Sequence, residues 1–303
     1  MSPMNPPNPP NPPNPPNPPD PPDPENPPGS GRDELRRQFA EEARAERPDL
    51  ALLCLLLAAE ADPALDTDGI DAAQIELDRL AGLLPYGVRG GHAWASALAG
   101  LLGERCGFAG SSADYQRLES SLLHHVLRRR RGLPILLSVV WIEVARRAGA
   151  PVYGVALPGH FVVGFGDPAE RVLADPFAGG RPMTGQDAEL LVTGATGAPL
   201  EPSMLVPARP LEIVLRILNN IRAWAAVRPE STRVALWAVE LSLLLPSHPA
   251  RLRYERAQLL VQSGEFLRGA AEMEEYAELV GVVEPTAAEA IRGRARAARA
   301  LLN

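Results

Sequence analysis

The chain has no lysine; all thirty of its basic residues are arginine. Against 37 acidic residues they leave a net charge of −7. That balance argues against a general nucleic-acid binder, which needs a basic surface. Cysteine is nearly absent as well. Cys54 and Cys106 lie in apolar or helical surroundings, with no metal-ligand spacing and no disulfide framework, so a reducing cytoplasm is the expected compartment. Long apolar runs are also missing. The uninterrupted stretch from Leu50 to Ala59 falls far short of the roughly 20 residues a membrane-spanning helix needs, and no other stretch qualifies. A soluble chain with no membrane partner is expected.

A length of 303 residues allows one large domain or two modest ones, and a 46% hydrophobic content suffices for a real core. The abundance of Ala, Gly and Pro, with arginine in place of lysine, reads as the codon bias of a GC-rich genome. Many of the 33 prolines crowd into residues 1–31, where Asn-Pro-Pro repeats five times from Asn5 and then drifts to Asp-Pro-Pro. This period favours extended polyproline II, and with almost nothing apolar to bury the segment is expected to be disordered. It lacks the apolar core of a secretion signal. It reads either as a repeat-expanded tail or as a ligand for a proline-recognising partner. The second reading is weakened by the lack of any aromatic residue, or of a basic flank before Arg32.

From Arg32 helix formers dominate. A charged amphipathic helix is predicted to end near Pro48, followed by a buried one from Leu50. Ile70, Ile75, Leu77, Leu80 and Leu83 mark a third over 68–84, and Trp94 to Leu102 a fourth. Cys54 reads as a small core hydrophobe. Cys106 sits at a predicted helix C-terminus, whose partial negative charge opposes a thiolate, so it reads as structural rather than as a displaced nucleophile. The central stretch is RRRRGLPILLSVVWIEVARRAGAPVYGVALPGHFVVGFGDPAERVLADPF, Arg128 to Phe177. Pro134 suits a first helical turn, and Leu136, Leu137, Val140, Trp141, Val144 and Ala145 recur at helical spacing until Gly149 and Pro151 stop the helix. Two or three short strands follow, the second opened by His160 and the third closed by Asp175. At the heads of adjacent antiparallel strands, about 5 Å apart, these two can come within hydrogen-bond reach. Asp167 reads as turn chemistry.

With the upstream GFAGSSADYQRLESSLLHHVL, this stretch resembles the transglutaminase-like superfamily, and more closely its SirB-type branch, a bacterial type in which such a core precedes tetratricopeptide-like helices. In catalytic members of the superfamily a cysteine begins the helix, a histidine begins a following strand and an aspartate lies on the next. The resemblance puts His160 in the histidine place and Asp175 in the aspartate place. The cysteine place falls on Pro134 or its neighbours, none of them a cysteine, and the SirB-type branch usually has proline there too. Proline offers neither nucleophile nor proton, while a thiolate at that position would be stabilised by the helix dipole and attack an amide. Ser138, a turn further in, is expected to point elsewhere. The resemblance also implies that Tyr115 and Leu118 pack inward.

Arg128 to Arg131 read as a solvated, salt-bridged helix end, or else as an anion site beside the His-Asp pair. Arg130, Arg131 and Trp141 are the candidate binding residues. His124 and His125 are adjacent, so on a helix they are expected to face different sides and not to chelate one metal. No metal and no cofactor are expected. Beyond 207, four helices are predicted over 209–228, 231–245, 249–263 and 266–280, with a final one from Pro285 to Leu302. The pair from Ala250 resembles a tetratricopeptide repeat, with Ala257, Gly264, Phe266 and Gly269 where that repeat wants small, small, aromatic and small residues.

The expectation is therefore an α+β chain. A disordered tail covers 1–31, a transglutaminase-like (papain-like) domain 32–206, and an all-α tetratricopeptide-like region 207–303. The middle domain divides into a helical part, 32–110, and a core with a small antiparallel sheet, 111–206. The resemblance implies a non-catalytic module that binds another protein or peptide, or regulates through it. The alternative is an amide hydrolase or acyl transferase with His160 as base and Asp175 orienting it.

Overall fold

One helix, α6 (Pro134–Arg147), is apolar on every side and lies at the centre of the molecule, as a helix without a polar stripe must. Pro134 starts it at the position where a missing N–H costs nothing, and every residue from Pro134 to Ala145 is buried. Its buried charge, Glu143, is 1% exposed and is held by Arg146 at 2.8 Å and by Arg147, both in the last turn of the same helix. Gly149, at φ 83°, ends the run in a left-handed turn. The structure is a computed structural model and describes residues 30–170 and 172–301. The Asn-Pro-Pro repeats and the expectation of disorder attached to them lie outside the described residues.

Around α6 stand α1 (Ser30–Glu42), α2 (Leu50–Ala61), α3 (Thr67–Ala81), α4 (Gly91–Leu98) and α5 (Leu123–Arg129). Asp49 caps α2, accepting from Leu52 N–H at 2.9 Å. α4 runs on into a π-helical segment, Ala99–Arg105, that ends at Cys106. On the far side of α6 lies an antiparallel sheet of five strands, where two or three are predicted. β1 (Val152–Val155), β2 (Val162–Phe165), β3 (Val172–Asp175), β4 (Arg181–Met183) and β5 (Pro207–Ala208) take the order β4-β3-β2-β1-β5. β4 and β5 are three and two residues long and each contains proline, so neither leaves an alternating pattern to read. The outer face of the sheet is covered by α7 (Gly185–Thr196), through Val155, Leu157, Val162, Leu173, Ala188 and Val192.

The principal core continues past residue 207. Ile213, Val214, Ile217, Leu218 and Ile221 of α8 (Pro210–Ala226) and Trp237, Ala238 and Leu241 of α9 (Thr232–Leu244) belong to it. The helices α10 (Arg251–Gln262), α11 (Phe266–Gly281) and α12 (Pro285–Ala300) share a separate core of Ala257, Ala270, Met273, Ala277, Ala288, Ile291 and Ala295. Its small residues let the helix backbones come close. Among the described residues no helix is long and apolar enough to cross a membrane.

Two features generate tests. Arg36 on α1 reaches buried Glu60 on α2 through two hydrogen bonds of 3.0 and 2.7 Å, and Glu240 on α9 at 2.8 Å. The Glu60 hydrogen bond and charge raise the Arg36 pKa above its ordinary value. Arg36→Ala leaves a buried carboxylate unpaired and is expected to lower unfolding free energy by about 3 kcal/mol in urea titrations. The double variant Arg36→Ala/Glu60→Gln should recover part of that loss. At Gly269 an added methyl would lie 2.6 Å from Val261 Cγ2 and 2.7 Å from the Ala257 carbonyl oxygen. Gly269→Ala should therefore cost about 1–3 kcal/mol by overpacking. Hydrogen exchange should show lost protection confined to α10–α12, with α6 unchanged.

Candidate functional site: a cleft beside His160

The antiparallel pairing of β2 with β3, with Val163 opposite Ala174, brings the start of one strand and the end of the other to the same margin of the sheet. His160 precedes β2 in the Pro-Gly turn, and Asp175 closes β3. The His160 Nε2 lies 3.0 Å from Asp175 Oδ1, off the line a hydrogen bond requires, so the contact is electrostatic. The same carboxylate oxygen accepts the Phe177 N–H at 2.9 Å, folding Asp175-Pro176-Phe177 into a tight turn. The Phe177 ring is then edge-on to His160 (6.0 Å between centroids, 86°) and to Tyr115 (6.0 Å, 65°). Gly110 donates to the Phe177 carbonyl at 2.9 Å, and a Cβ built on Gly110 would occupy the Phe177 ring. The glycine of GFAG is thus what lets the aspartate turn seat.

His160 opens on a cleft of about 490 Å³. One wall is the start of α6 at Leu133, Pro134 and Ile135; the opposite wall is α8, through Arg216, Asn220 and Trp224, with Arg228 beyond its end. Arg216 donates to the carbonyls of Leu157 (2.6 Å) and His160 (2.7 Å). No carboxylate pairs with it among the described residues, and burial pushes its pKa below the ordinary value. Arg228 stacks over the Trp224 ring at 4.3 Å and donates to the Gln116 side chain at 2.8 Å. The indole Nε1 of Trp224 is buried without a hydrogen-bond partner. Among the described residues that line the cleft there is no carboxylate, cysteine, serine or threonine.

The hydroxyl and thiols expected to be structural are accounted for elsewhere. Ser138 is buried and donates to the Phe161 carbonyl at 3.3 Å. Cys54 is in the core, where burial drives its thiol pKa above the usual range. Cys106 is half-buried at the end of the π-helical segment, away from the cleft lining.

Several expectations need correction. Tyr115 does not pack inward; it is 47% exposed and lines the cleft, whereas Leu118 does pack against the core. Trp141 is fully buried, edge-on to Phe108 at 5.9 Å, on a stretch of α6 with no exposed face on which to present it. Arg130, at φ 59°, ends α5; it bonds Glu76 at 2.7 Å and stacks over Phe108 at 4.5 Å. Arg131 is exposed, and neither arginine lines the cleft. His124 and His125 do not diverge. Their rings lie 4.1 Å apart, and both Nε2 atoms approach Asp62 Oδ2, at 3.1 and 3.4 Å. Their Cβ atoms step about 100° around the helix, but rotation about two side-chain bonds brings both rings to the carboxylate at the end of α2.

The α8 residues of the cleft went unread in the sequence. A signal exists: Arg216, Asn220, Ala223, Trp224 and Val227 recur at helical spacing as a second stripe beside the buried one.

Two family models match the chain in the order of its two regions. The model described as the transglutaminase-like superfamily matches residues 57–219, and that of the tetratricopeptide repeat matches 221–303. A UPF0162 protein of Xylella fastidiosa (strain 9a5c) is 33% identical over 181 residues, covering 58% of this chain and 64% of its own length. A UPF0162 protein of Pseudomonas aeruginosa is 38% identical over 104 residues, 34% of this chain and 38% of its own. Among solved structures, menin aligns with 87% of this chain and 70% of its own at 14% identity, with a TM-score of 0.42. With a matching core over more than half its length and tetratricopeptide-type helices after it, the chain belongs to the transglutaminase-like superfamily, in the SirB-type branch.

Proposed function

We propose that this chain is a non-catalytic binding module that takes an extended protein segment in the cleft between the start of α6 and α8. The observation that carries the reading is the lining itself. His160 and Asp175 keep a 3.0 Å approach without the hydrogen bond by which an orienter holds a base, Pro134 stands in the nucleophile place by resemblance, and among the described residues no cysteine, serine or threonine lines the cleft. A positioned imidazole alone supplies roughly 10²–10⁴-fold, far short of what amide hydrolysis demands. The tetratricopeptide match supports protein–protein contact in general. The cationic lining, Arg216 and Arg228 without a carboxylate, favours a segment with an acidic side chain.

The second reading, an amide hydrolase or acyl transferase using the His160-Asp175 pair with water, rests on their 3.0 Å approach. Single-turnover hydrolysis of an amide and ester panel separates the two. The expected result is background hydrolysis that His160→Ala leaves unchanged, with thermal stability nearly intact. A loss of about 10²-fold on His160→Ala would establish the enzyme instead.

Binding is tested on an array of short peptides in matched pairs, glutamate against glutamine. The glutamate members are expected to bind better. Arg216→Ala should weaken them by about tenfold or more, the worth of one charge-assisted hydrogen bond. Equal binding of both members would remove the acidic preference, and no binding by either would remove the module reading for this cleft.

A further inference from the structure

We propose that Asp62, His124 and His125 form a divalent transition-metal site, an N₂O set for Zn²⁺ or a similar ion, that staples the end of α2 to the start of α5. The set shares no residue with the His160 cleft.

The donor atoms are already gathered. One ring nitrogen of each histidine and a carboxylate oxygen of Asp62 lie within 4.8 Å of one another. The two contacts to Asp62 Oδ2, 3.1 and 3.4 Å, are close to the edge of a tetrahedron around Zn²⁺. Bonds of about 2.0–2.2 Å to N and O set that edge at roughly 3.4 Å. The carboxylate is preset for this. Its Oδ1 accepts the Ala64 N–H at 3.0 Å, which leaves Oδ2 to both imidazoles.

The side chains are 12%, 14% and 29% exposed for His124, His125 and Asp62, so an ion can enter, and a fourth position is left for water.

One neighbour opposes the ion. Arg128 donates to His125 Nδ1 at 2.7 Å. A guanidinium only donates, so that nitrogen is the acceptor and the ring proton sits on Nε2. Binding a metal at Nε2 requires the proton on Nδ1, and with it the release of Arg128 into solvent. Arg128 therefore competes with the ion through the tautomer of His125 as well as through its charge.

The test is titration of the full chain with Zn²⁺ by calorimetry, and with Co²⁺ by its visible ligand-field bands. One equivalent should bind with micromolar affinity, and Co²⁺ should give the intense bands of four-coordination. His124→Ala, His125→Ala and Asp62→Asn should each weaken binding by more than about tenfold, the scale at which even supporting groups act. Arg128→Ala keeps all three ligands and should tighten it. Failure of the unaltered protein to take up either ion would overturn the site. So would uptake that survives all three ligand variants, or an affinity left equal or weakened by Arg128→Ala.

Discussion

The rest of the molecule depends on the complete burial of α6. A helix with twelve consecutive buried residues has to be covered on every side. Each large apolar side chain it removes from water contributes about 1.5–3 kcal/mol, so partial cover would forfeit much of the core. The N-terminal helices, the sheet and α8 are that cover. This is why the core does not stop at residue 207, and why the first helix of the C-terminal region becomes a wall of the cleft. The cleft forms at the N-terminus of α6, where the helix leaves its enclosure and Pro134 meets the turn before β2.

That position explains how a His-Asp approach can persist beside an inert helix start. A nucleophilic thiol at the first turn would gain from the helix dipole and from a neighbouring imidazolium. With proline there, the imidazole faces a wall without a nucleophile, and the Asp175 oxygen is shared with the Phe177 N–H. The turn made by Asp175, Phe177 and Gly110 still sets the Phe177 ring against His160 and Tyr115, which line the cleft, and so has a geometric use that does not require turnover.

The sequence made the α6 run, the His160 and Asp175 positions and the C-terminal helices legible, because each rests on local signals: apolar periodicity, proline and glycine punctuation, strand alternation. What it left unread is instructive. β4 and β5 are too short to show alternation. The inward placing of Tyr115 failed because its side depends on Phe177, 62 positions later, seating on Gly110. Trp141 failed as a binding residue because a helix buried on all sides presents no face. His124 and His125 were read from backbone periodicity, which fixes Cβ directions but not the ends of long side chains that share an acceptor. The α8 stripe was hidden because its meaning depends on which wall of the core the helix covers.

The missing lysines bear on this last point. Where helices meet through charge, the cation is arginine, often two-pronged: Arg36 to Glu60, Arg222 to Glu255 and Arg299 to Glu274. The planar fork matches a carboxylate and pins both orientation and distance, which an ammonium does not. In an acidic chain most such forks are cancelled by the acids they grip. Arg216 and Arg228 are spent differently. They donate to carbonyl and amide oxygens, which fix their positions without neutralising them. Two arginines thus line the His160 cleft, held in place by neutral oxygens, in a protein of net charge −7, an arrangement whose field attracts anions rather than cations.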